Sequence, residues 1–131
     1  MKNLFCFNGV SDFVFANGSY IANIQKNHEE KELLFNDYAE KLKFPSYFGK
    51  NWDALLDCLS DLFFVKEKNV IIAHSDMPFQ GNETERKIYL SVLHEAIERT
   101  RDSQGHKLYV YFPWEYKKEI DSIISDPNFP N

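Results

Sequence analysis

The spacing of apolar and polar positions divides the chain into short strands and amphipathic helices. Two β-prone runs, 13–16 (Phe-Val-Phe-Ala) and 20–24 (Tyr-Ile-Ala-Asn-Ile), flank Asn17-Gly18. Asn-Gly between such runs signals a hairpin, because a type I′ turn needs positive φ at both central residues. Residues 29–43 place Leu33, Leu34, Tyr38 and Leu42 at helical spacing, with Glu and Lys on the other face. Pro45 closes that helix, since the residue before a proline is pushed out of the α region. Asn51 is placed to cap a second helix from Trp52 to about Phe63. Residues 69–74 (Asn-Val-Ile-Ile-Ala-His) are nearly continuous in apolar character, as a strand buried on both faces is. Gly81 and Asn82 break the chain before a long helix over 83–101, whose apolar positions include Leu90, Leu93 and Ile97. Gln104-Gly105 stops it, and residues 107–112 form the last strand, ended by Pro113. A further helix is expected over 115–125, followed by an irregular or frayed end at 126–130.

Strand 70–74, helix 83–101 and strand 107–112 make a β-α-β unit, which calls for parallel pairing and a right-handed crossover. The preceding strand-helix-helix-strand order repeats that logic. The expected fold class is α/β: a small sandwich with a short, mainly parallel three-stranded sheet, its helices, and an extra N-terminal hairpin strand. Residues 1–131 are expected to form a single domain, which the length of 131 residues suits.

Composition narrows the function. A chain that is 44% hydrophobic and 27% charged, with 5 Gly and 5 Pro, is neither disordered nor low-complexity. The net charge is −5, against the clustered basic side chains that nucleic-acid binding needs. Residues 1–50 hold six Lys and six Asp or Glu, while 51–131 hold nine basic and fourteen acidic side chains, so the whole deficit lies in the second part. That surplus fits either plain solubility or a basic partner. Two cysteines, Cys6 and Cys58, point to free thiols in a reducing compartment. The apolar run at the start is too short for a signal peptide, and no stretch approaches the ~18 apolar residues of a membrane span. A soluble, cytoplasmic protein with no membrane partner is the expectation.

The helix after Asn51 carries the clearest chemical pattern. At about 100° per residue, Asp53, Asp57 and Asp61 fall within about 80° of one another, opposite Trp52, Leu55, Leu59, Leu62 and Phe63. No basic residue interrupts the row. Like charges at i, i+4 destabilise a helix by about 0.2–0.5 kcal/mol per pair, and only Asp53 lies within reach of the favourable N-terminal dipole. The row is therefore either a wet acidic face or a surface made to receive positive charge. Leu56 borders it, and Tyr47 and Phe48 lie in the loop before it. Acidic groups edged by apolar and aromatic side chains are what many interfaces use.

Other patterns are weaker. His74-Ser75-Asp76 holds the residue types of a hydrolase triad, but adjacent residues do not form one. His28, His94 and His106 show no metal spacing with Cys, and Gly49-Lys50-Asn51 is not a phosphate loop. Three carboxylates on one helix face offer no enclosing ligand set for a cation. Neither metal nor cofactor is expected.

The string Phe44-Pro45-x-Tyr47-Phe48-Gly49-x-Asn51-Trp52-Asp53-Ala54-Leu55-x-Asp57-Cys58-Leu59-x-Asp61-Leu62 resembles the barstar-like family of intracellular ribonuclease inhibitors. The resemblance covers about 19–112, leaving an N-terminal extension (1–18) and a C-terminal tail (113–131). It implies an immunity protein, not an enzyme, that plugs the active site of a cognate ribonuclease toxin, one-to-one by default. The implied contact surface is the second helix with its preceding loop: Tyr47, Phe48, Gly49, Asn51, Asp53, Leu56, Asp57 and Asp61. Asp57 takes the place of the central carboxylate, Asp53 supports it, and Tyr47 supplies an aromatic contact. Leu56 falls where the best-characterised member has a large aromatic, and Glu95 matches a peripheral acidic contact on the later helix. The alternative is a non-inhibitory binding module that turns the same acidic face to another basic protein. A third possibility, a small hydrolase built on His74, would need a distant acid.

Overall fold

Three parallel strands form the sheet in the computed structural model, which describes residues 2–9 and 18–130. In chain order the elements are β1 (Ser19–Ile24), α1 (Lys31–Leu42), α2 (Trp52–Asp61), β2 (Asn69–His74), α3 (Glu83–Arg101), β3 (Lys107–Tyr111), a 3-10 turn (Trp114–Tyr116) and α4 (Lys117–Ser125). The strand order is β1-β2-β3, and the register runs Ser19 to Asn69 and Asn69 to Lys107. This is the expected α/β class, with every described pairing of these strands parallel.

Alternation along the strands sends Ala22 and Ile24, Val70 and Ile72, and Leu108 and Val110 into one core with the helices. The central strand β2 is buried from Val70 to His74, as its apolar run requires. Gly18, immediately before β1, sits in the left-handed region at φ +81°, which glycine adopts freely. The expected partner strand at 13–16 lies outside the described residues.

The N-terminal residues do something the apolar pattern did not reveal. Cys6 pairs in parallel with Tyr111 on the free edge of β3: its amide donates to Val110 O at 2.9 Å, and Phe112 N donates to its carbonyl at 3.0 Å. Phe5 and Phe7 thereby enter the core, Phe5 edge-on to Phe112 and His94. Pairing and covering an edge in this way blunts it as a template for other chains. The C-terminal tail is irregular after Ser125 but not frayed: Phe129 is buried against His94, and its amide donates to Asp126 O at 2.9 Å.

A buried polar chain links α1, α3 and β2. His74 Nδ1 is 2.9 Å from the Tyr111 carbonyl, which can only accept, so Nδ1 carries the proton and Nε2 accepts from Tyr89 O–H at 2.6 Å. Tyr89 has then used its own proton, and its oxygen accepts from Tyr38 O–H at 2.6 Å. Burial pushes the His74 imidazole down to about 3 and the Tyr89 phenol well above its ordinary value. The His74 ring also stacks on Phe112 at 4.0 Å. Nearby, burial raises the Asp37 carboxyl, but hydrogen bonds from His28, the Gln25 amide and Lys41 outweigh it and hold it below its usual value. Among the described residues, no buried side-chain nitrogen or oxygen lacks a partner.

Candidate protein-binding site

The acidic row is displayed by a helix whose other face is locked. Asn51 adopts an extended backbone, and its Oδ1 accepts from Ala54 N at 2.8 Å, satisfying one of the free amides at the start of α2. Just before it, Lys50 sits in the left-handed region at φ +52°. Trp52 anchors the first turn: its indole N–H donates to Glu85 Oε2 at 3.1 Å, and its ring packs on Phe35 at 5.0 Å and on Tyr89 at 5.9 Å. Leu55 and Leu59 are fully buried.

The helix ends earlier than its periodicity implied. Leu62 turns left-handed at φ +57°, its amide donating to Cys58 O at 2.9 Å, and its side chain is fully buried. A left-handed non-glycine residue carries strain of order 1–3 kcal/mol, which burial of a leucine, at about 1.5–3 kcal/mol, offsets. The turn throws Phe63 out of the core face assigned to it: it is 60% exposed, edge-on to Phe64 at 5.2 Å. At the other end of α2, Tyr47 is 75% exposed. Exposed aromatics thus bracket the acidic helix, and Phe63 is a surface residue that helical periodicity concealed.

Of the residues singled out from sequence, Tyr47, Gly49, Asn51, Asp53, Asp57 and Asp61 are exposed, while Leu56 and Glu95 are half-buried. Phe48 is half-buried too, its ring 4.8 Å from Phe44 and 6.2 Å from Phe35, so it braces the loop from within while Tyr47 faces outward. At Gly49 an added side-chain carbon would stand 3.4 Å from Asn51 Nδ2 and 3.7 Å from Ala54 Cβ, in ordinary contact with the cap. Cys58, between the aspartates, is a free thiol raised first by burial and then by Asp57 and Asp61.

The row is not free of positive charge once α3 is packed alongside. Arg99 of α3 places Nη1 3.9 Å from Asp57 Oδ1, while its Nε donates to Glu95 Oε1 at 3.2 Å. Glu95 and Arg99 share a face of α3 by their i, i+4 spacing, but only the packing of α3 on α2 brings that face to Asp57. The absence of a basic neighbour holds along α2 and fails in space.

The weaker patterns find structural roles. Both ring nitrogens of His74 are spent as described, and Asp76 accepts from Asn27 N at 2.9 Å, so these residues assemble no triad. His28 bonds Asp37, His94 the Lys2 carbonyl and His106 the Val65 carbonyl. Among the described residues, no group of His, Cys, Asp or Glu is arranged to hold a metal, and no helix is long and apolar enough to cross a membrane. A cavity of about 480 Å³ opens between Lys2–Leu4, the end of α3 and β3, and the α2 carboxylates do not line it.

Comparison with known families matches residues 21–113, well over half of the chain, to the model described as Barstar (barnase inhibitor). The chain belongs to the barstar family. It is also similar to the Bacillus subtilis (strain 168) protein named "Putative ribonuclease inhibitor YrdF", with 49% identity over 35 residues. That match spans 27% of this chain and 38% of the relative's length. The barstar match includes the loop, α2 and the Glu95–Arg99 segment of α3, and it ends at Pro113. The core extends further than the matched segment: Phe5, Phe7, Ile120, Ile124 and Phe129 lie outside it and are buried in the same cluster.

Proposed function

We propose that this protein is an inhibitor that binds a cognate ribonuclease, a toxin against which it confers immunity, and occludes its active site with the α2 face. The observation that carries the reading is the row of exposed aspartates on a helix whose opposite side buries Leu55 and Leu59, in a chain of the barstar family. A ribonuclease surrounds the scissile phosphate with cationic side chains. Carboxylates on a rigid helix satisfy those cations without presenting a bond to cleave, and charge-assisted contacts to Arg are strong and geometrically selective. Because α2 is capped and anchored before any partner arrives, little ordering cost falls on association. In this reading Asp57 is central, with Asp53, Asp61 and Glu95 around it. Tyr47 and Leu56 give the apolar rim, joined by Phe63, and Phe48, Gly49 and Asn51 hold the loop and the cap in shape. Binding is one-to-one, in the cytoplasm, and the protein itself catalyses nothing.

Inhibition of RNA hydrolysis by the cognate nuclease, measured beside Asp57→Ala, tests the reading. Loss of a buried charge pair costs about 2–5 kcal/mol, or roughly a thirtyfold to several-thousandfold weaker complex. Unchanged inhibition by the variant overturns the assignment of α2. A protein that captures a basic partner without inhibiting any nuclease is a binding module instead.

A further inference from the structure

A cation of α3 stands beside the acidic row. The carboxylates of Asp53, Asp57, Asp61 and Glu95 carry four negative charges, and Arg99 leaves the group at −3. Arg99 is 45% exposed at its side chain and Asp57 80%, so both meet solvent at the seam between α2 and α3. A guanidinium has five N–H donors. Here one is given to Glu95 at 3.2 Å, while the 3.9 Å approach to Asp57 is a Coulombic contact too long for a hydrogen bond. Arg99 therefore arrives at the interface charged and with donors unspent.

We propose that Arg99 is a specificity-determining residue of the α2 face: a built-in counter-ion that selects partners pairing their cations with an acceptor. The proposal rests on the reading of α2 as the contact surface. A cation docked on Asp57 comes within one side-chain width of the guanidinium. In a surface that is losing water, like charges so placed are strongly unfavourable. A uniformly basic partner meets that repulsion. A partner with a carboxylate or carbonyl beside its cations converts the repulsion into a charge-assisted hydrogen bond to the unspent donors. The face thus recognises a mixed-sign pattern, positive opposite the aspartates and electron-rich opposite Arg99, and such a repulsive element is how interfaces reject wrong partners.

The test needs no nuclease. The probes are hexa-arginine and an alternating Arg-Glu hexapeptide, titrated at low ionic strength against the wild type, Arg99→Gln and Asp57→Asn, with backbone amide shifts on α2 as the readout. Arg99 is a surface residue, and circular dichroism establishes that each variant is folded. Removing one charge at about 4 Å in water is worth about 1 kcal/mol, so hexa-arginine binding tightens about fivefold, and Arg99→Gln is expected to show that gain while losing any preference for the alternating peptide. Asp57→Asn is expected to weaken both. An Arg99→Gln protein whose ratio of the two affinities equals the wild type's overturns the proposal. Failure of the reading of α2 as the contact surface appears elsewhere, as undiminished nuclease inhibition by Asp57→Ala.

Discussion

Replacing Tyr89 with Phe removes one oxygen from the buried chain Tyr38 O–H to Tyr89 O–H to His74 Nε2, and the direction of that chain sets the size of the effect. Because the Tyr111 carbonyl fixes the proton on His74 Nδ1, Tyr89 must donate to Nε2 and Tyr38 must donate to Tyr89. Tyr89→Phe therefore orphans a donor, Tyr38 O–H, and an acceptor, His74 Nε2, both fully enclosed. At about 1–3 kcal/mol for each buried unsatisfied group, the loss is about 2–6 kcal/mol. Tyr38→Phe takes away only an acceptance at the Tyr89 oxygen, whose proton stays bonded to His74, and costs about 1 kcal/mol. The double variant leaves one orphan, His74 Nε2, and is expected to be no less stable than Tyr89→Phe alone, which is strong non-additivity. Urea unfolding at pH 7, with a common slope among variants, measures all three differences. The assay bears on function because the Tyr89 ring lies 5.9 Å from that of Trp52, the residue that seats α2. Equal losses for the two single variants, or additive losses in the double, would refute the hydrogen-bond direction deduced here.

The His74 imidazole is pushed down to about 3 from an ordinary value of 6.5, so the unfolded chain takes up a proton that the native state refuses. Stability is then full above pH 6.5 and falls as pH drops toward 3, by about 1.4 kcal/mol per unit. Urea midpoints that stay flat between pH 6.5 and 5, above the carboxylate range, would contradict this. Below that range Asp37, held under its usual value by His28, the Gln25 amide and Lys41, adds to the acid loss. Asn51→Ala deletes the acceptor for Ala54 N and is expected to cost about 1 kcal/mol in unfolding free energy, with a looser α2 start visible in amide exchange; an unchanged exchange rate at Ala54 would show the cap to be dispensable.

Elements whose cause is local were legible from the chain. Periodicity predicts the long helix at 83–101 and it runs Glu83–Arg101, because Asn82 caps it and the apolar positions recur at helical spacing. Asn51 was identified as a cap and is one. Periodicity puts Phe63 on the core face because it continues on paper through Leu62, whereas the backbone turns left-handed at Leu62 and leaves Phe63 exposed. The role of Phe5 to Phe7 was invisible for a different reason: nothing local distinguishes a strand that pairs with β3 a hundred residues later from one that pairs with its neighbour.

By itself the sequence determined the order of the strands and helices from β1 to α4, its parallel logic, the two-faced character of α2 and the family motif, since each follows from side-chain period, turn chemistry or one contiguous segment. Tertiary structure alone decided which charges and hydrogen-bonding groups meet. Arg99 and Asp57 lie forty-two positions apart, and so do their helices until α3 packs on α2. The Tyr38–Tyr89–His74 chain joins three separate elements. Charge interactions and hydrogen bonds depend on distance in space, and one-dimensional periodicity carries no information about distance between elements until the core has closed around them.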